Sequence, residues 1–332
     1  MRLVDRFGRV HDYLRISVTD QCNLRCVYCM PEEGLEFLPG ERLMSAEEIA
    51  GIVRAAARLG IRKIRITGGE PLVRRDIADI VAAVAAVPGI EDVAMTTNGL
   101  LLAAKAEALK RAGLSRVNIS LDTLDPGRFR LIARHGELRK VLEGIEAALA
   151  AGLAPVKLNC VLLRGMNEDE IESFLRLSYE RPLHVRFIEY MPIGHDDDGW
   201  RNRYLPLSRV RDVAARMPWP ALPEDGVAGN GPSENWRFAG GAGTFGLIHP
   251  VSDRFCENCS RLRLTADGYL KPCLHWVDEL YLRPHAGNEA ELARLFFRAL
   301  DIKPKNHGMA EIWAGEETAH VPTARRMSQI GG

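Results

Sequence analysis

The chain has no excess charge of either sign: across its 332 residues, 44 Lys and Arg balance 44 Asp and Glu. Without a global basic surface, neither nucleic acid nor an anionic membrane is an expected partner. A long hydrophobic run is also missing. The greasiest stretch, residues 77–90, is broken by Asp79, Pro88 and Gly89 and is too short to cross a bilayer. The first ten residues are charged and have no apolar centre, unlike a secretory signal, so a cytosolic location is expected. No repeat and no low-complexity segment stands out. The composition, 46% apolar and 27% charged, is ordinary for a folded domain or two. What is unusual is seven cysteines, an odd number, in clusters. Without an export signal, such clusters favour metal ligation over a disulfide framework.

From Leu14 to about Tyr190, short β-type runs alternate with longer amphipathic ones. Strands are expected over Leu14–Thr19, Ile61–Thr67, Asp92–Thr97, Arg116–Leu121, Pro155–Leu162 and His184–Tyr190. Apolar spacing near 3.6 predicts helices over Ser45–Leu59, Arg74–Val87, Leu102–Ala112, Leu138–Ala151 and Glu168–Tyr179. Ser45 with Glu48 reads as a capping box, and Gly60, Gly113 and Gly152 stand where helices should stop. This alternation means parallel strands joined by helical crossovers, compatible with an open partial barrel or a doubly wound sheet. In either, chemistry collects at the C-terminal strand ends: Thr19–Cys29, Thr67–Pro71, Thr96–Gly99, Ser120–Asp122 and Tyr190–Gly194. After His195 prolines multiply. Short runs over Asn235–Phe238, Thr244–Ile248 and Leu262–Thr265, with one helix at Glu289–Leu300, suggest a smaller α+β region.

Cys22, Cys26 and Cys29 form C-x3-C-x2-C directly after the first strand. Three clustered thiolates leave one iron of a four-iron cube open to a non-protein ligand; a structural zinc site would need a fourth residue. Cys256, Cys259 and Cys273 form a second triad, and His275 makes a Cys3His zinc ribbon the competing reading there. Just beyond lie Arg261 and Arg263, which share one face of a strand and whose guanidinium forks match phosphate oxygens. Lys63 and Arg65 likewise share a strand face, where inward charges are costly without a compensating ligand. Cys160, mid-strand, reads as a small buried apolar residue.

The first triad, with Tyr28 before its last cysteine and Gly68-Gly69-Glu70-Pro71 ending the second strand, resembles the radical S-adenosylmethionine superfamily. Within it, residues 18–31 and 255–268 closely resemble the GTP 3′,8-cyclase family, and the resemblance runs from about Asp5 to Gly331-Gly332. One departure is Ser260, where family members often have Asn. The resemblance implies two 4Fe–4S clusters held by Cys22, Cys26, Cys29 and by Cys256, Cys259, Cys273. S-adenosylmethionine would chelate the open iron of the first, and GTP guanine would meet that of the second. It assigns S-adenosylmethionine contacts to Tyr28, Gly69, Ser120 and Met191. GTP contacts fall to Arg15, Lys63, Arg65, Thr96, Lys157, Arg186, Arg261, Leu262 and Arg263. No side chain is expected to be catalytic, because the radical comes from the cofactor. The implied activity is the first step of molybdenum cofactor biosynthesis. It implies a flavodoxin- or ferredoxin-type electron donor and a product passed to cyclic pyranopterin monophosphate synthase.

The expected architecture is α/β. Residues 1–205 form a partial (βα)6 TIM-like barrel, and residues 206–332 form a smaller α+β region capping its open mouth, with the Gly-Gly tail reaching into the cavity. The chain is read as a monomer or homodimer. The rival enzyme reading, a peptide-modifying type with fully ligated auxiliary clusters, would carry more C-terminal cysteines. The rival outside catalysis is a zinc-ribbon binding module.

Overall fold

The computed structural model describes residues 2–191, 193, 199–227, 231–252, 255–309, 311 and 321–331. All six expected strands form: β1 (Tyr13–Ser17), β2 (Lys63–Thr67), β3 (Asp92–Thr97), β4 (Arg116–Ser120), β5 (Val156–Leu162) and β6 (Leu183–Glu189). Helices α1 (Ala46–Arg58), α2 (Ile77–Ala85), α3 (Ala106–Arg111), α4 (Pro126–Ala133), α5 (Leu138–Ala150) and α6 (Ile171–Glu180) lie between them. The capping box is present, with Glu48 N–H donating to Ser45 Oγ at 3.1 Å and Ser45 N–H to Glu48 Oε2 at 2.7 Å. Gly60 and Gly113 stop their helices at φ 105° and 102°, a region closed to most side chains. Helix α4 was not expected from periodicity. Its signal is chemical: Pro126 sits in the first turn, and Asp125 Oδ1 accepts from Arg128 N–H at 2.6 Å.

The second half of the chain does not build a sheet of its own. After α7 (Gly199–Arg203) and α8 (Ser208–Ala214) come β7 (Ala221–Pro223), β8 (Glu234–Phe238), β9 (Thr244–Ile248), β10 (Arg261–Leu264), β11 (Tyr269–Lys271) and β12 (Leu280–Tyr281). One sheet has the order β12-β11-β10-β1-β2-β3-β4-β5-β6-β9-β8-β7. Strand β9 runs parallel beside β6 and β10 runs parallel beside β1, so eight parallel strands lie side by side. The expectation of six barrel strands plus a separate cap therefore gains two strands, one at each edge. The physical reason is that bare β1 and β6 edges would present unpaired backbone groups, and the late strands cover them.

Alternation along each strand separates two faces. Leu14, Ile16, Ile64, Ile66, Leu158, Phe187, Leu262 and Leu264 are fully buried in one apolar core with the helices, including Ile49, Ile52 and Val53 of α1. Each such side chain contributes roughly 1.5–3 kcal/mol of burial. Cys160 belongs to this core, at 0% exposure. The other face carries Tyr13, Arg15, Arg65, Asn118, Asn159, Arg186, Arg261 and Arg263, and it lines a cavity.

Candidate active site

Residues from β1–β6, β9 and β10 line this single cavity of about 340 Å³, so the sheet curls around it as a barrel does. Barrel interiors are usually filled by branched apolar layers. Here the layer is cationic: Arg263, Arg15 and Arg65 are register partners on three adjacent strands. Arg65, Arg186 and Arg263 are each 5% exposed. Burial, with Arg65 and Arg261 nearby and opposed by Tyr13, pulls the Arg15 guanidinium down to about 10. Burial and the neighbouring Arg65 bring Arg186 to about 9. Burial and the repulsion of Arg15 and Arg261 hold Arg263 well below its ordinary value. Tyr13 answers the charge in part, its hydroxyl accepting from Arg65 Nε. A crowd of desolvated guanidiniums is stable only where an anion compensates, and a triphosphate with about four negative charges does so.

The first triad hangs on the loop after β1, which the glycine motif pins. Gly69 N–H donates to Thr19 O and Glu70 N–H to Gln21 O, both at 2.7 Å. A Cβ on Gly69 would lie 2.3 Å from Gln21 O, so only glycine permits this backbone contact. Glu70 is buried beneath it, accepting from Leu72 N–H, Thr97 Oγ1 and Asn98 N–H at 2.6–3.0 Å; burial nonetheless lifts its carboxyl to about 7. Tyr28 donates to Asp122 Oδ2 at 2.6 Å and lies edge-on to Tyr190.

All seven cysteines are free, and both triads line the same cavity. Among the described residues no three or more His, Cys, Asp or Glu side chains converge on a single ion position, as a zinc ribbon requires. His275 is buried and is not among the residues that line the cavity. Backbone N–H groups are aimed at the sulfurs: Leu24 at Cys22 (3.4 Å), Ser328 at Cys29, His307 at Cys256 and Arg261 at Cys259. Donors of this kind serve cluster thiolates. Burial pushes Cys22 up to about 11 and Cys29 to about 12, so ionising them calls for a cationic centre. Burial would also raise Cys259, but Lys303 and Arg261 outweigh it and bring that thiol to about 6. Both donor sets fit a cube with one open iron.

Of the sequence-assigned residues, the six triad cysteines, Tyr28, Gly69, Ser120, Met191, Arg15, Arg65, Thr96, Arg186, Arg261 and Arg263 line this one cavity. Three do not. Lys63 pairs with Asp12 at 3.1 Å in a separate hollow at the strand starts. Leu262 points its side chain into the outer core, leaving only its backbone for a ligand. Lys157 lies buried behind the lining, where burial and then Arg186, Arg116 and Arg65 press its amine down to about 6. Sequence reasoning missed Tyr13, Asn118 and Asn159, each two residues from an assigned residue on its own strand and so legible from strand period. It also missed Lys303 and His307, for which no local signal exists. Of the C-terminal tail, Gly331 O accepts from Arg263 Nη1 at 2.5 Å, and Met327 and Ser328 line the cavity; Gly332 and Gly194 lie outside the described residues.

The described residues include no helix long and apolar enough to cross a membrane. Residues 16–178 match the family model for the Radical SAM superfamily, and residues 183–309 match Molybdenum Cofactor Synthesis C. A protein of Streptococcus suis, SuiB bound to the precursor peptide SuiA, shares the fold at a TM-score of 0.60 with 16% identity, over 92% of this chain and 68% of that one. SuiB bound to S-adenosylmethionine aligns at 0.55 and 15% identity, over 81% of this chain and 62% of that one. The GTP 3′,8-cyclase of Listeria monocytogenes serovar 1/2a is 55% identical over 330 residues, 99% of each chain. That of Moorella thermoacetica is 50% identical over 331 residues, again 99% of each. With such identity over its whole length, and both triads in one cationic cavity, the chain belongs to the GTP 3′,8-cyclase family of radical S-adenosylmethionine enzymes.

Proposed function

We propose that this chain converts GTP to (8S)-3′,8-cyclo-7,8-dihydroguanosine 5′-triphosphate, opening molybdenum cofactor biosynthesis. The carrying observation is a single cavity that joins two free thiol triads to a row of buried arginines. Cys22, Cys26 and Cys29 would hold one 4Fe–4S cluster, and Cys256, Cys259 and Cys273 the other. When bound, the first cluster with S-adenosylmethionine would supply the radical chemistry at the ribose, and the second would offer the guanine a binding position. Everything else the chain contributes is placement. Arg15, Arg65, Arg261 and Arg263 grip the triphosphate, with Thr96 beside Arg65 and with Arg186 and Lys157 adding field from β6 and β5. Lys63 and Leu262 are the assigned contacts that the cavity supports least. Gly69, Ser120, Met191 and the Tyr28 backbone hold S-adenosylmethionine. Curling the strands around the cavity limits water around the arginines, which strengthens their hold on phosphate.

The reading extends to a flavodoxin- or ferredoxin-type electron donor, hand-over to cyclic pyranopterin monophosphate synthase, a cytosolic location and a monomer or homodimer. It keeps residues 1–205 as the radical barrel unit and 206–332 as the unit bearing the second cluster and tail. The test is anaerobic incubation with GTP, S-adenosylmethionine and a reductant. 5′-Deoxyadenosine and a cyclised nucleotide should accumulate together; a colourless protein carrying stoichiometric zinc would sink the proposal.

A further inference from the structure

We infer that Arg9 and Lys303 are positioning residues for the second thiol triad: two buried cations that lock its ligand-bearing segments into one block. The inference rests on the two-cluster reading above. The triad's ligands come from one short turn, Phe255–Asn258 with Cys259 just beyond it, and from Cys273 just after the β10–β11 hairpin. Arg9 is 8% exposed and Lys303, which lines the cavity beside the second triad, 3%, unusual burial for charged side chains. Arg9 Nη1 donates to Cys256 O and Lys305 O, both at 2.9 Å, and Nη2 to Pro304 O at 2.7 Å. Asp5 orients it, accepting from Arg9 Nε at 2.6 Å and from Arg9 N–H at 3.0 Å. Lys303 Nζ donates to Arg261 O at 2.9 Å and to Pro272 O, the carbonyls flanking the Cys259 and Cys273 stretches.

Segment 303–307 thus forms a back wall. It receives Arg9 at residues 304 and 305, sends Lys303 to two ligand stretches, and its His307 N–H donates to the Cys256 sulfur. The hydrogen bonds of both cations go mainly to backbone carbonyls, with Arg9 Nε on Asp5, and those carbonyls would otherwise be buried without donors. The β10–β11 ladder ends short of both Cys259 and Cys273, so holding these thiols in place falls to such ties.

The test uses the full chain, reconstituted anaerobically, with Arg9→Met, Lys303→Met and the conservative Lys303→Arg. Iron content and the reduced-state electron paramagnetic resonance spectrum are read with S-adenosylmethionine alone and with GTP alone. Both Met variants should lose half the iron and the signal that GTP perturbs, keep the one that S-adenosylmethionine perturbs, and retain near-ultraviolet circular dichroism. Lys303→Arg, which still donates to carbonyls, should recover most of the lost signal. Full iron with both signals in the Met variants overturns the inference, as does joint loss of both signals, which would mean a general folding role. A wild-type chain that builds only the first cluster would instead defeat the two-cluster reading itself.

Discussion

Binding of GTP should draw a proton into the barrel, and Lys157 is where it goes. Lys157 is 4% exposed, its charged neighbours include Arg186, Arg116 and Arg65, which press its amine down, and Asp92, which attracts it, and His184 lies beside it in register on β6. Burial and these cations set it at about 6. At pH 7.5 roughly 3% is charged, and protonating it costs about 2 kcal/mol, or roughly thirtyfold in affinity. A triphosphate on the neighbouring arginines supplies the missing counter-charge and restores the charged form. The bound state then holds more protons than the free state, so affinity falls as pH rises above 6, up to the amine's new value. Titration calorimetry without reductant, in phosphate and in Tris at pH 7.5, reads proton uptake from the difference in heats. Uptake near one per GTP is expected, shrinking sharply in Lys157→Met. The substituted chain also controls for residual protonation of the nucleotide's own terminal phosphate, which titrates near pH 6. Equal heats in the two buffers, or uptake that survives Lys157→Met, would refute the reasoning.

Arg263→Ala removes a buried fork that also holds Gly331 O, so GTP affinity should fall by about ten- to a hundredfold on a charge-assisted bond of ~1.5–3 kcal/mol. Cleavage of S-adenosylmethionine without GTP should persist in that variant, as equilibrium binding and 5′-deoxyadenosine release would show. Gly69→Ala places a methyl on the Gln21 and Asp20 carbonyls, and the turn under the first triad must open. Its spectrum should no longer respond to S-adenosylmethionine, while the response to GTP survives. Tyr28→Phe strips Asp122 of its hydroxyl donor in a largely buried contact where the carboxyl already stands at about 6. A loss of about 1–3 kcal/mol is expected in denaturant unfolding at pH 7.5. Because this carboxyl is raised on folding, its penalty is absent below about pH 4 and grows as pH rises towards 6, so wild type and variant should converge in acid.

Much of this site could be read from period alone. Arg15, Arg65, Arg261 and Arg263 alternate with Leu14, Ile64, Leu262 and Leu264, and a strand that alternates charge with branched apolar residues must face a core on one side and something polar on the other. The cysteine spacings carried the thiol triads directly. Strand neighbours were not legible. Strands over Thr244–Ile248 and Leu262–Thr265 were visible, the second forming one residue earlier at Arg261–Leu264, but a run of four or five residues does not encode its partner, and both pair across more than fifty residues of chain. Lys63 was misleading for a related reason: it shares its face with Arg65, yet at the strand start that face meets Asp12 instead of the cavity. Arg9 and Lys303 gave no sequence signal, because their partners are main-chain carbonyls far along the chain.

The late arrival of β9 and β10 has a cost during synthesis. A nascent chain that has emerged only as far as residue 240 displays two bare strand edges and a bowl of unneutralised guanidiniums, with neither rim yet sealed. Such edges invite pairing with a neighbouring polypeptide on the same messenger. The two stretches recognised by separate family models are therefore not modules to be cut apart or swapped. A fragment ending between them would aggregate, and adding the remainder in trans would have to slot a strand onto each side at once.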